Sequence, residues 1–286
     1  MFRLGYVTNG LANHRLLDSL RLCADLGYEA VAVTLDVGQL DPYDLRPEQV
    51  GDVRHWAEEL GLALTVETGA RFLLDPRRKH RPNLMDAADE GRAMRVDFYR
   101  RAIDIAVSLG APLISLWSGA APGGERYERD GADPSHPLLD HLAYGLAPVL
   151  EHAAGAGVRV AFEPEPGMFI ERPMGYADLC RHLGAPADAL GLTLDVGHCL
   201  VTGDLPVAQC IRDWAHRLVH VHLDDIAGGV HQHLPFGQGD LDTTEVLRAL
   251  VEVGYGGVAA VELSRDAHRG ADAAQEAMEC LRACLR

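Results

Sequence analysis

Eight times along the chain, a short aliphatic or β-branched run is followed by a loop and then by a longer amphipathic stretch that ends near glycine. The runs fall at 3–8, 30–35, 63–67, 113–117, 158–163, 191–195, 218–223 and 257–262. The stretches fall at about 13–26, 47–60, 90–109, 138–156, 175–182, 206–216, 243–253 and 271–285. This alternation predicts strands joined by helices. The runs are apolar almost throughout instead of alternating with polar residues, as expected of parallel strands covered on both faces. Segments such as DLGYEA, ELGLAL, SLGAPL, GAGVRV and EVGYGGV place a glycine where a helix must close before the next strand begins.

Eight such units suit an α/β fold of one kind above all, a closed (β/α)8 TIM barrel. The 286 residues are enough for one barrel spanning 1–286 as a single domain, and no linker rich in proline, glycine or serine divides them. An open doubly wound sheet would alternate in the same way, but no GxGxxG turn follows the first run. The longest irregular stretches, 68–89 and 118–137, follow the third and fourth strands and therefore belong to the face where barrels carry their chemistry.

Composition excludes several functions. No apolar run approaches the roughly 18 residues that cross a bilayer, and the opening MFRLGYVTNGLANHR lacks a signal-peptide core, so a cytoplasmic protein without a membrane partner is expected. The formal net charge of −16 repels nucleic acid. Six cysteines (Cys23, Cys180, Cys199, Cys210, Cys280, Cys284) are scattered without a CxxC pair, giving neither a disulfide framework nor a zinc ribbon. Lys79 is the one lysine among 26 basic residues, so Schiff-base chemistry would rest on it alone. It sits in RFLLDPRRKHRP with Arg71, Arg77, Arg78, His80 and Arg81, a segment suited either to phosphate or carboxylate groups or to a solvated loop or subunit contact.

In a parallel barrel the C-terminal strand ends converge on one mouth. The later strands end VAFEPEPG, GLTLDVGH, LVHVHLDD and VAAVELS, so Glu163, Asp195, His222 and Glu262 each close a different strand. Three carboxylates gathered in an apolar setting need compensation, and a divalent cation supplies it. Three carboxylates with one imidazole favour Mn2+, Mg2+, Co2+ or Zn2+, with the identity open. Glu165 competes with Glu163 across Pro164; Glu163 is preferred because it directly ends the apolar run. His220 faces the same side as His222, one layer deeper, and is read as core. His198, three residues past Asp195, can reach a substrate or a second metal. Glu67 and Trp117, at the third and fourth strand ends, join Glu165 and His233 as substrate-side candidates; the GQG turn would hold His233 near the mouth, and His231 lies on the same loop.

The ordered set FEP, LDVGH, HVHLDD, HLPFGQGDLD and VELS resembles the xylose isomerase-like barrel superfamily, which includes sugar isomerases and epimerases, an inosose dehydratase and endonuclease IV-type repair enzymes. The resemblance implies that Glu163, Asp195, His222 and Glu262 bind one divalent metal such as manganese and that His198 is a substrate-side histidine. It further implies that Glu163 and Glu262 form an acid/base pair for isomerisation or epimerisation of a small carbohydrate. Homo-oligomers are frequent in that superfamily. Two departures stand out: the ketose 3-epimerase branch carries an arginine where this chain has Gly228, and the endonuclease branch carries histidines where it has Glu67 and Trp117. His231 and His233 fall where that endonuclease branch places ligands of a third zinc. Open alternatives are a metal-dependent lyase of an inosose-like or keto-sugar substrate, an endonuclease IV-like hydrolase, and a non-catalytic sugar-binding subunit.

Overall fold

The predicted strands close into a barrel. The computed structural model describes residues 1–128 and 136–286. In it β1 (Arg3–Val7), β2 (Ala30–Thr34), β3 (Ala63–Glu67), β4 (Leu113–Trp117), β5 (Arg159–Glu163), β6 (Leu190–Asp195), β7 (Leu218–Leu223) and β8 (Val258–Val261) pair in that order, all parallel. Closure comes from β8 returning to β1, with Leu4 opposite Ala259. The helices are α1 (Leu16–Leu26), α2 (Pro47–Glu59), α3 (Asp89–Leu109), α4 (Pro137–Ala156), α5 (Pro173–Leu183), α6 (Val196–Thr202), α7 (Val207–Trp214), α8 (Thr243–Glu252) and α9 (Gly270–Cys284). No helix among the described residues is long and apolar enough to cross a membrane.

Side-chain size divides the apolar residues into two layers. Inside the barrel Val7, Ala30, Ala32, Val258 and Ala260 form a small cluster. Outside, Tyr6, Val31, Leu116, Phe162 and Leu192 join helix residues such as Leu20, Phe98 and Leu250 in the main core. The expected glycine caps are realised: Gly27 ends α1 at φ 87° and Gly110 ends α3 at φ 70°, left-handed values that a β-carbon would strain.

Three local expectations change. The helix expected from residue 13 begins at Leu16, because Thr8–Leu11 turns first as a 3-10 helix directly after β1. β8 ends at Val261, so Glu262 lies one residue beyond it; its N–H still donates to Leu223 O at 2.9 Å and carries the β7–β8 register forward. Residues after Asp195, read as a loop, form the short helix α6, whose N-terminus is capped by the Asp195 carboxylate through the His198 N–H at 2.8 Å. Of the long stretch 118–137, residues 129–135 lie outside the described residues.

Candidate active site at the barrel mouth

Strand register brings the acidic ends together. Asp195 pairs with His222 across β6 and β7, and Trp117 pairs with Glu163 across β4 and β5. One ligand atom each from Glu163, Asp195, His222 and Glu262 falls within 4.8 Å of the others. His222 is the hub: its Nδ1 lies 2.9 Å from Glu163 Oε1 and 3.0 Å from Glu262 Oε2, while its Nε2 lies 3.2 Å from Glu67 Oε1. Asp195 Oδ2 is buried with no hydrogen-bond partner, although its other oxygen caps α6.

These four residues fit a divalent cation. An orphaned carboxylate oxygen among two further carboxylates and an imidazole is costly alone and becomes favourable around a cation. Burial works against a charged His222, yet Glu163, Glu67 and Glu262 hold its pKa well above the usual histidine range. Burial raises Glu163, and burial together with Asp224 raises Asp195 well above the carboxylate range. Glu262 is held low despite its burial, by His222, His233 and the Asn9 amide, which donates to its Oε1 at 2.7 Å. A cation that entered this set would displace the His222 proton, which Glu163, Glu67 and Glu262 hold and burial opposes. Affinity for Mn2+ is expected to rise about tenfold per pH unit between pH 6 and 8 for each proton displaced. A fluorescent-competitor titration checks this, and a flat profile would place the proton elsewhere.

A cavity of about 540 Å³ opens over this centre, lined by Glu67, Trp117, Glu163, Glu165, His198, His222, His231, His233 and Glu262, among others. Every substrate-side candidate thus faces one space. Asp195 does not line it and lies deeper, 1% exposed. Burial, then Glu163 and Glu262, push Glu165 up to about 8. The His198 ring is oriented by the Pro164 carbonyl, 3.1 Å from Nδ1. Burial, His233 and His231 hold it well below the usual histidine pKa. Its Nε2 lies 3.0 Å from His231 Nε2, which in turn lies 3.1 Å from His233 Nε2. These three rings could themselves hold a cation.

Glu67 also faces two histidines. It borders the cavity, but its Oε1 is occupied by both His220 Nε2 at 3.0 Å and His222 Nε2 at 3.2 Å. Its chemistry is to orient His222 so that Nδ1 faces the other carboxylates, the arrangement by which metal-binding histidines are commonly fixed. His220 is fully buried, as read, but is a polar member of this network rather than inert core.

Two residues missed in the sequence hold the site from behind. Asp224 lies 2.7 Å from His233 Nδ1 and carries that histidine up to about 10 against the effect of burial. It also accepts the Gly197 N–H at 3.1 Å, and a β-carbon at Gly197 would meet Asp224 Oδ1 at 2.2 Å. Only glycine allows that approach. Asp225 gathers the following loop, accepting the N–H groups of Gly237, Gly239 and Leu241 at 2.9 Å each. The signal was present as the HLDD that ends β7, followed by the glycine-rich turn.

Eight parallel strands closed into a ring, with carboxylate and imidazole groups at their C-terminal ends, define a (β/α)8 barrel protein with a polar mouth. The chain belongs to the xylose isomerase-like TIM barrel family, which it matches over residues 20–284. It is 29% identical over 254 residues to the L-ribulose-5-phosphate 3-epimerase UlaE of Shigella boydii, covering 86% of this chain and 81% of that protein. The uncharacterized protein MJ1311 of Methanocaldococcus jannaschii is 26% identical over 194 residues, 66% of this chain and 64% of that one. Among solved structures, a D-allulose 3-epimerase from Methylomonas sp. in complex with D-allulose superposes with a TM-score of 0.76 at 16% identity, covering 99% and 96% of the two chains. An L-ribulose 3-epimerase gives a TM-score of 0.74 at 21% identity, covering 100% and 95%. Those structural likenesses are likenesses of fold.

Proposed function

We propose that residues 1–286 act as one (β/α)8 domain that isomerises or epimerises a small sugar or related polyhydroxy carbonyl compound with the help of a divalent metal. The observation that carries this reading is the approach of Glu163 and Glu262, from β5 and from the end of β8, to the same His222 nitrogen at 2.9 and 3.0 Å. Two carboxylates placed on two sides of one point suit removal of a proton beside a carbonyl and its return on the other face. The sequence relative named as a ribulose-5-phosphate 3-epimerase supports the same class.

In this reading Glu163, Asp195, His222 and Glu262 would hold the metal, which when bound would polarise carbonyl and hydroxyl oxygens and acidify the neighbouring C–H. Glu163 and Glu262 move the proton at their Oε atoms. The Asn9 amide keeps the Glu262 carboxylate turned to its task. His198, fixed through Nδ1, offers Nε2 to a substrate hydroxyl, while Trp117 supplies an apolar wall and Glu165 and His233 polar contacts.

The test is proton exchange. Metal-loaded protein incubated in D2O with L-ribulose 5-phosphate, L-ribulose, D-allulose or D-tagatose is expected to place deuterium beside the carbonyl of at least one of them without loss of mass. Glu163→Gln should slow that exchange by about 10³-fold. Loss of water from the product would instead establish the lyase reading, and absence of exchange across the panel would refute the epimerase.

A further inference from the structure

The cavity carries a feature that proton transfer does not use. Lys79 and Arg265 both line it, and neither is ion-paired among the described residues. In the basic segment around Lys79, Arg71 pairs with Asp36 at 2.8 Å, Arg78 with Asp75 at 2.6 Å and Arg81 with Asp86 at 2.5 Å, while Arg77 does not line the cavity. Two cations without an ion-pair partner at one opening stand out in a chain of net charge −16.

Their setting is built. Lys79 follows β3 and Arg265 follows β8, so in the closed order β8–β1–β2–β3 they flank the sector above β1 and β2. From β2, Thr34 faces the same cavity, 3% exposed, and its buried Oγ1 has no partner. A β-carbon at Gly69 would meet the Thr34 methyl at 2.7 Å, so the glycine keeps that floor open. The Lys79 segment is pinned from below by Arg95 of α3, 2% exposed, which donates to the carbonyls of Pro82 at 2.8 Å and His80 at 3.0 Å. Burying a guanidinium is costly, and the two carbonyls that it bonds offset part of that cost. Lys79, Arg265 and Thr34 all line the one cavity.

We propose that the substrate of this site carries a phosphate monoester, bound by Lys79 and Arg265 with the Thr34 hydroxyl as a further donor, while its carbonyl end faces Glu163 and Glu262. This rests on the epimerase reading and narrows it to phosphorylated ketoses. A phosphate ester carries about −1.5 to −2 charge at neutral pH, matching two cations where a carboxylate would need one.

The experiment is calorimetry on Mn2+-loaded protein with L-ribulose 5-phosphate and with L-ribulose, for the wild type, Lys79→Met, Arg265→Met and the double variant; both residues are exposed, so folding is not at stake. The ester is expected to bind at least about tenfold more tightly than the free ketose, with that advantage reduced in each variant and gone in the double variant. Equal binding of the two compounds, or an advantage that survives both substitutions, overturns the proposal. Inorganic phosphate and turnover, followed with the same proteins, separate the two readings. Phosphate bound by the wild type and lost in the double variant, without turnover of either sugar, would keep the anion site and refute the epimerase. Turnover of L-ribulose with no preference for its phosphate would do the reverse.

Discussion

Glu262→Ala is expected to leave purification without its metal and with turnover reduced by at least about 10³-fold, from loss of a general acid/base alone. The change removes one of four donors, strands the Asn9 amide that donated to Glu262 at 2.7 Å, and takes away one of the two carboxylates facing His222 Nδ1. Cys199→Ala is the control. Cys199 lies in α6 beside His198, buried, with its Sγ 3.9 Å from that of Cys210, so the substitution perturbs packing near the centre without touching a donor. Elemental analysis beside an activity assay reads both. Full metal content and turnover in Glu262→Ala would overturn the assignment of the centre.

The second large effect is on stability. Without a cation, Glu163 and Glu262 crowd one nitrogen of His222, and Asp195 Oδ2 is left without a partner. A divalent ion that binds only the folded chain stabilises it by about 4 kcal/mol at about 1,000 times its Kd. At about 2–4 °C per kcal/mol for a chain of this size, Tm should rise by about 8 °C or more on metal addition and fall back with a chelator. Scanning calorimetry of the wild type and Glu262→Ala decides it, since the shift should vanish in the variant. An identical shift in both proteins would mean that the ion binds elsewhere.

The barrel was legible because buried parallel strands write themselves as uninterrupted apolar runs, and the centre was legible because each of its four residues ends such a run. What escaped was the support. Asn9 and Glu262 meet across 253 positions of sequence, and Glu67 reaches His222 across 155; no local pattern ties such residues together. Glu67 lines the cavity as its strand-end position implies, but its closeness to His220 and His222 through Oε1 has no local sign in the sequence. The short helix α6 escaped for a different reason, since seven residues hold barely two turns and show little periodicity. The Gly228 departure also has a local account: this residue sits in the left-handed region at φ 58° and donates its N–H to Asp240 at 2.7 Å, so the position serves the turn.

The two apolar layers have a consequence for how such a protein can change. Most of the apolar packing lies between strands and helices, whereas the apolar cluster inside the barrel is a handful of small residues. Substitutions in the loops that rim the cavity therefore draw little on the reserve that keeps the chain folded. A scaffold arranged in this way tolerates repeated rewriting of its rim, so new substrate preferences are within reach of single replacements while the acidic floor stays in place.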